Sequence, residues 1–374
     1  VGADVITNHN HAPPLDDGRI VEKWSFRRSN YFEHVGNEVK NVHEHVGVLD
    51  MSPFAKMEVS GPGAREWLNS ILANAIPKKR GRIALCHLPT PAGGVKAEFT
   101  VYEWAPDRFY LVSAGGLEAH DHDLLARLAP TDGSVQLQPI TQKYGVLVLA
   151  GPKSRDVLRK LTRTSLDSKD FPWLTAKKIS VGVATAHALR VNFVGELGWE
   201  LHHPIEMQAY IFDRLMEAGA EFGIKPFGIR AMSAMAVEKS YRNMGRELSI
   251  EYNAYESALD RFIRPEKPFL GREAMLAYKE KGLRWNFVTL ILEGNEDVDA
   301  RGSEAIYDEG GALIGRATSG GFGWRIGKSV ALAMVQPGYS AAGTRLKIKI
   351  LGKLYSATVV PESPFDPDNA VLRA

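Results

Sequence analysis

The chain repeats itself. Val59-Ser60-Gly61-Pro62-Gly63-Ala64-Arg65-Glu66-Trp67-Leu68 is answered by Leu149-Ala150-Gly151-Pro152-Lys153-Ser154-Arg155-Asp156-Val157-Leu158, a spacing of 90 residues (151 minus 61). Each copy reads as a strand, a Gly-Pro turn and a helix with apolar residues at helical spacing. Gly permits the sharp turn off the strand, and Pro is favoured at the first helical position because its missing N–H costs nothing there. The surroundings repeat too. Strand-like segments Arg82–Leu88, Val95–Trp104 and Arg108–Ser113, then a helix near Leu117–Leu128, follow the first copy. Ile179–Ala184, Ala188–Val194, Gly198–His202 and a helix near Glu206–Ala218 follow the second. The doubled pattern predicts two related ferredoxin-like α+β units.

Before the first copy come an irregular arm over residues 1–24, a helix from about Tyr31 to His45 and an apolar, strand-like run from Val48 to Val59. After the second, a helix over Arg272–Lys281 precedes short strands at Phe287–Leu292, Glu304–Tyr307, Leu313–Ser319, Val330–Met334, Arg345–Ile350 and Leu354–Val360, spaced by Gly, Pro, Asp and Asn. That spacing marks a small all-β barrel or sandwich. The expected division is 1–24 for the arm, 25–275 for the two interleaved α+β units and 276–374 for the β domain.

Composition narrows the function. With 44% apolar and 24% charged residues and a formal charge of +2, the chain has no basic stripe for nucleic acid or a membrane surface. No apolar run approaches the ~18 residues of a membrane helix. The polar start, Val1–Asp17, has no signal-peptide layout. A single cysteine, Cys86, excludes a disulfide framework and fits a reducing, cytoplasmic setting; it reads as a core residue.

Several chemistries lack their motifs. There is no Gly-x-Gly-x-x-Gly after a strand, no Walker loop and no Gly-x-Ser-x-Gly elbow. The pairs His9/His11, His43/His45 and His120/His122 have no cysteine partners and no His-Glu-x-x-His helix, so no metal is expected and they read as caps, surface or core histidines. Two acids remain. Glu98 lies in Gly93-Gly94-Val95-Lys96-Ala97-Glu98-Phe99-Thr100-Val101, sharing a strand face with Lys96 and Thr100. Pattern alone favours a solvent-facing carboxylate. Glu196 lies in Phe193-Val194-Gly195-Glu196-Leu197-Gly198-Trp199-Glu200, a Gly-flanked turn between aromatics. Pattern alone leaves it open between an exposed turn acid and a ligand group. The two acids are expected in comparable hairpins of the two repeats, facing a shared cleft.

These segments, with Gly228-Ile229-Arg230-Ala231, Val237-Glu238-Lys239, Thr318-Ser319-Gly320-Gly321-Phe322-Gly323 and Gly327-Lys328-Ser329-Val330, resemble the glycine-cleavage T-protein superfamily. Within it, Tyr31-Phe32, Tyr241-Arg242, Gly245-Arg246-Glu247-Leu248 and Phe365-Asp366-Pro367-Asp368-Asn369 resemble the folate-binding half of dimethylglycine and sarcosine dehydrogenases, without their flavin half. The resemblance implies an α+β cloverleaf of two ferredoxin-like units plus a C-terminal β-barrel or jelly-roll domain, with tetrahydrofolate in a central channel. Glu196 matches the family acid that grips the pterin, whose 2-amino group and N3–H are parallel donors for a carboxylate. Arg230 matches an arginine close to the folate. Glu98 stands where the family's catalytic acid is usually Asp, one methylene longer. Phe193, Trp199, Tyr252 and Trp324 are candidates to line the channel, and each also fits ordinary core.

The implied activity is tetrahydrofolate-dependent one-carbon transfer from a small methylated donor, giving methyl- or methylene-tetrahydrofolate. Alternatives are a folate-binding subunit capturing formaldehyde for a separate flavoprotein dehydrogenase, a glycine-cleavage aminomethyltransferase, and a protein that keeps the fold without turnover.

Overall fold

The structure, a computed structural model, describes residues 25–295 and 297–374. The arm expected over 1–24, with His9 and His11, lies outside them. Helix α1 (Phe32–Glu44) leads into β1 (Val46–Asp50). The apolar run predicted as one strand is two. It breaks at a turn in which Ser52 N–H binds the Asp50 carboxylate and Phe54 N–H binds the Met51 carbonyl. Strands β1 and β2 (Ala55–Ser60) then join different sheets.

The repeat predicted from the Gly-Pro echo is present. The first unit runs β2, α2 (Ala64–Ile71), β3 (Ile83–Pro89), β4 (Val95–Ala105), β5 (Arg108–Ser113), α3 (Glu118–Leu128), β6 (Gln136–Pro139), with sheet order β3-β4-β5-β2-β6. The second runs β7 (Tyr144–Ala150), α4 (Ser154–Arg159), β8 (Ala176–Val181), β9 (Ala184–Leu189), β10 (Gly198–Pro204), α5 (Gln208–Gly219), β11 (Ile224–Pro226). Its order is β11-β1-β7-β10-β9-β8, so β1 is inserted beside β7 and ties the chain's start into the second unit. Gly61 and Gly151 take φ of +118° and +125°, and a Cβ there would lie 2.4 Å and 2.5 Å from the backbone oxygens of Ser134 and Val42. Both echo positions therefore require glycine. Pro62 and Pro152 sit in the turn ahead of each helix rather than at its first residue.

Helix α2 is eight residues long, too short to hold itself in water. It forms because Trp67, Leu68 and Ile71 bury one face against Ala97, Phe99 and Val101 of β4, each large side chain contributing roughly 1.5–3 kcal/mol. The second core packs Leu149, Trp199 and Leu201 against Val157, Leu158, Ile211 and Leu215. The opposite strand faces meet each other. Tyr102 and Tyr110 of the first sheet pack near His187 and His202 of the second, and Tyr110 hydroxyl lies 3.0 Å from His202 Nδ1. The even-numbered positions of β4 and β10 thus line a polar layer between the units.

Helix α6 (Ile229–Glu238) carries the chain out of the second unit. After α7 (Arg272–Lys281), strands β12 (Asn286–Leu292), β13 (Ala305–Tyr307), β14 (Leu313–Gly323), β15 (Lys328–Val335), β16 (Arg345–Ile350) and β17 (Lys353–Val360) close into a barrel in the order β12-β15-β14-β13-β16-β17. A terminal turn of helix, α8 (Ala370–Arg373), follows. Among the described residues no helix is long and apolar enough to cross a membrane.

Candidate functional site

Sequence pattern places the third strand of the second repeat at Ala188–Val194, but β9 ends at Leu189. The reason is Asn192. Its Oδ1 accepts the N–H groups of Val194 and Gly195, both at 3.1 Å, and its Nδ2 donates to the Glu196 carbonyl at 2.9 Å. A side chain that satisfies backbone donors locally competes with a ladder, so the apolar run becomes a turn. Gly195 completes it at φ +76°, where a Cβ would lie 2.5 Å from Lys239 Cγ.

This turn drives Glu196 inward, to 1% exposure. Its Oε1 accepts from Arg325 Nη1 at 2.8 Å and pairs with His43 Nδ1 at 3.1 Å. Its Oε2 is buried and has no partner among the described residues. A carboxylate oxygen desolvated without a donor is costly, and Oε2 is an acceptor that no described residue satisfies. The hydrogen bond to Glu196 raises the pKa of half-exposed His43 above its ordinary value.

Arg325 is the residue that motif reading missed. It lies in the β14–β15 turn and reaches back from the barrel into the second unit. Its Nε donates to Glu238 Oε2 at 2.6 Å, its Nη2 to the Met235 carbonyl at 2.7 Å, and its own backbone N–H to Glu238 Oε1 at 2.7 Å. Phe365 covers the guanidinium, 3.8 Å from its carbon to the ring centre. Both Arg325 side-chain contacts with Glu196 and Glu238 are dry. Lys239 ties down the same tail, donating to the Asp366 carbonyl at 2.6 Å and Asn369 Oδ1 at 2.9 Å. No spacing rule announces Arg325; the only sequence cue is a cation within a Gly-rich turn.

Glu98 sits in the middle of β4, directly opposite His87 of β3, with Oε2 2.8 Å from His87 Nε2. Its side chain retains 22% exposure while His87 has none. It shares the inner face with Tyr102, as the alternation predicts. The two acids do not occupy comparable hairpins, however. By the repeat, β4 corresponds to β9, so Glu98 lies within a strand and Glu196 in the turn after the equivalent one. A further acid, Glu200 of β10, faces the polar layer with Oε2 3.2 Å from His202 Nε2. Burial lifts the Glu200 carboxyl to about 8 and presses His202 down to about 3.

The other expected residues divide. Phe193 lies beside the Glu196 turn with its ring 5.2 Å from that of Tyr241, whose hydroxyl burial pushes up to about 12. Arg230, the second residue of α6, is half-buried with its guanidinium 3.9 Å over the Tyr31 ring. Trp199 is a correction. It points away from the layer into the second core, fully buried, 6.1 Å from Phe171, because strand alternation sends it opposite to Glu200. Trp324 is another. It wedges between Phe32 and Phe322 at 4.5 and 5.0 Å and covers Gly36 of α1, a packing role. Tyr252 anchors the start of β4 through its carbonyl, and its hydroxyl accepts from Arg316 Nε at 2.8 Å, so it is committed to the barrel contact.

Two α+β repeats thus face each other across a polar layer, and a turn of the barrel clamps a buried carboxylate of the second repeat. Residues 14–267 match the model of the GCVT N-terminal domain and residues 286–366 that of the glycine cleavage T-protein C-terminal barrel domain. The chain belongs to the glycine cleavage T-protein family. It is 39% identical over 341 residues to mitochondrial dimethylglycine dehydrogenase of Mus musculus, covering 90% of this chain and 39% of that protein. It is 29% identical to 4-methylaminobutanoate oxidase (formaldehyde-forming) of Paenarthrobacter nicotinovorans, over 94% of this chain and 42% of that one. With the aminomethyltransferase of Natranaerobius thermophilus it shares 27% identity across 96% and 98% of the two chains. The chain therefore spans about two fifths of the first two relatives and nearly all of the third. The crystal structure of aminomethyltransferase T from Bartonella henselae superposes with a TM-score of 0.81 at 22% identity, covering 96% of this chain and 95% of that one, and shares the fold.

Proposed function

We propose that the chain binds tetrahydrofolate between its two α+β units and transfers a one-carbon unit to it from a small methylated amine. The observation that carries this reading is Glu196, with one oxygen pinned by Arg325 and His43 and the other buried without a donor. A pterin edge supplies N–H donors of the kind Oε2 lacks. Tetrahydrofolate, when bound, supplies the nitrogen that accepts the carbon. The protein's part is placement: Glu196 fixes the ring, Phe193 and Tyr241 give it a flat wall, and Arg230 offers a cation to an anionic tail. Glu98, held in the same inter-sheet layer, is the carboxylate that stabilises positive charge on the donor and takes or returns a proton. Positioning two reactants in this way removes much of the entropic barrier.

The names of the dehydrogenase and oxidase relatives favour an oxidised methylamine as the donor, with the oxidation performed by a separate flavoprotein or by sequence that those relatives possess and this chain does not span. Buried, free Cys86 suits a reducing compartment, and a cytoplasmic setting is part of this reading. Calorimetric titration with tetrahydrofolate is the first test; no binding at sub-millimolar ligand would remove the proposal. Incubation with dimethylglycine or 4-methylaminobutanoate and tetrahydrofolate, with and without a flavoprotein dehydrogenase, then separates direct transfer from formaldehyde capture. 5-Methyl-tetrahydrofolate formed by the chain alone, a transfer that needs no oxidant, selects the first; 5,10-methylene-tetrahydrofolate formed only with the flavoprotein, which takes the two electrons, selects the second.

A further inference from the structure

Glu98 has three side-chain torsions and would wander if nothing held it. What holds it is a histidine whose protonation the surroundings dictate. His87 projects from β3 onto the inner face beside Glu98, and its ring is fully buried against Phe262, centroid to centroid 5.8 Å. Its Nε2 faces Glu98 Oε2 at 2.8 Å. Its Nδ1 is buried and finds no partner among the described residues. A proton on Nδ1 would be an unsatisfied buried donor, whereas a bare lone pair there is the cheaper defect. The proton therefore belongs on Nε2, where it has an acceptor. Double protonation would place an N–H at the same unsatisfied Nδ1 and is disfavoured for the same reason.

We infer that His87 is the positioning residue of Glu98: a neutral imidazole locked in the Nε2–H form, donating to Oε2 so that Oε1 is presented to the layer between the units. This rests on the reading of Glu98 as the proton-handling acid. A neutral donor is what that task requires. It fixes the carboxylate without a full positive charge that would hold the carboxylate too weakly basic to take a proton. The arrangement also explains how the longer Glu is kept rigid at a position where one methylene shifts the carboxylate appreciably.

The test uses the full chain with ¹⁵N-labelled histidine, the His87 resonances being identified by their loss in His87→Gln. Long-range ¹H–¹⁵N spectra at neutral pH should show a neutral ring protonated on Nε2. A ring protonated on Nδ1, or on both nitrogens, overturns the inference whatever the activity proves to be. In the one-carbon transfer assay, His87→Leu should lower kcat about tenfold or more with KM and tetrahydrofolate affinity little changed, as loss of orientation at a reacting group does. His87→Gln, which keeps a side-chain N–H, should recover most of that loss. Equal losses in the two variants make His87 merely structural and overturn the inference. If the wild-type chain binds no tetrahydrofolate, the proposed function fails, and the ring's protonation still decides whether His87 acts as the donor.

Discussion

The role proposed for Glu196 depends on three neighbours that dispose of its alternatives. Asn192 bends the chain, Gly195 lets the turn pass under Lys239, and Arg325 takes one carboxylate oxygen. Replacing Glu196 with Ala should weaken tetrahydrofolate binding by about 2–3 kcal/mol, the scale of a hydrogen bond to a charged group together with the loss of its shape, with the fold intact. Calorimetry checks it; an unchanged affinity would take Glu196 out of the site. Gly195→Ala asks for the same result by another route. The left-handed φ and the 2.5 Å approach to Lys239 Cγ both oppose a Cβ. Strain of this kind costs roughly 1–3 kcal/mol. The turn should relax outward, lowering affinity and urea stability together, whereas Gly245→Ala, at φ +81° but with open space around it, should lower stability alone. At this scale the sequence was partly legible. Glycine flanks and a carboxylate between aromatics mark a turn that can meet a ligand. Arg325 was not legible, because its contact crosses 129 positions and no local pattern encodes such a reach. Trp199 misled for the opposite reason: proximity to Glu196 along the chain suggested proximity in space, and strand alternation sent it to the other face.

The element that joins the site to the barrel is the β14–β15 turn, and α6 is its counterpart. Arg325 from the turn and Glu238 from the last residue of α6 are both dry, and each is hydrogen-bonded several times over. Removing one partner of such a pair strands the other charge, which typically costs about 3–5 kcal/mol. Arg325→Leu should therefore lower unfolding free energy by that amount and loosen the tail that Phe365 leads. Protection of the Phe365–Leu372 amides against hydrogen exchange would fall with it. Arg325→Lys keeps a charge but loses the fork that spans two carboxylates. Intermediate stability with clearly weakened ligand binding is expected, since Glu196 would be freed to rotate; wild-type affinity in Arg325→Lys would show that the fork is not what orients Glu196. Elements themselves were the most readable level. The Gly-Pro echo announced both repeats because the turn it encodes needs a φ that only glycine takes easily. The insertion of β1 into the second sheet was hidden, since β1 and β2 read as one apolar run and only the Asp50–Ser52 turn separates them.

In the whole molecule two sheets close on a polar layer beside the barrel, and buried acids and histidines set how stability responds to pH. Burial holds the Glu200 carboxyl of the layer at about 8 and that of Glu38, on α1 where it accepts the Gly228 N–H, at about 7, against an ordinary 4.5. It presses His202 to about 3 and His187 to about 4, against 6.5. Between pH 4.5 and 6.5 the two effects oppose. The folded carboxyls keep protons that the unfolded chain has released, so stability falls as pH rises; the unfolded histidines hold protons that the folded ones lack, so stability rises. Above 6.5 the unfolded histidines are neutral as well, and the carboxyls act without that opposition. Glu200 is then the main proton that the folded state keeps and the unfolded state has lost, up to about pH 8. With about 1.4 kcal/mol per unit for one proton, the loss over that window approaches about 2 kcal/mol. Urea midpoints should therefore decline from pH 6.5 to 8. Glu200→Gln keeps the shape and a hydrogen-bond donor toward His202 but cannot ionise, so its decline should be markedly shallower. Identical slopes in the two proteins would mean that Glu200 is already ionised in the fold, with His202 Nε2–H donating to it and Tyr110 hydroxyl donating to Nδ1. The alternative chain, in which protonated Glu200 donates to Nε2 and Nδ1–H donates to Tyr110, satisfies the same two distances of 3.2 and 3.0 Å, so the pH slope distinguishes two proton arrangements that the heavy atoms alone do not.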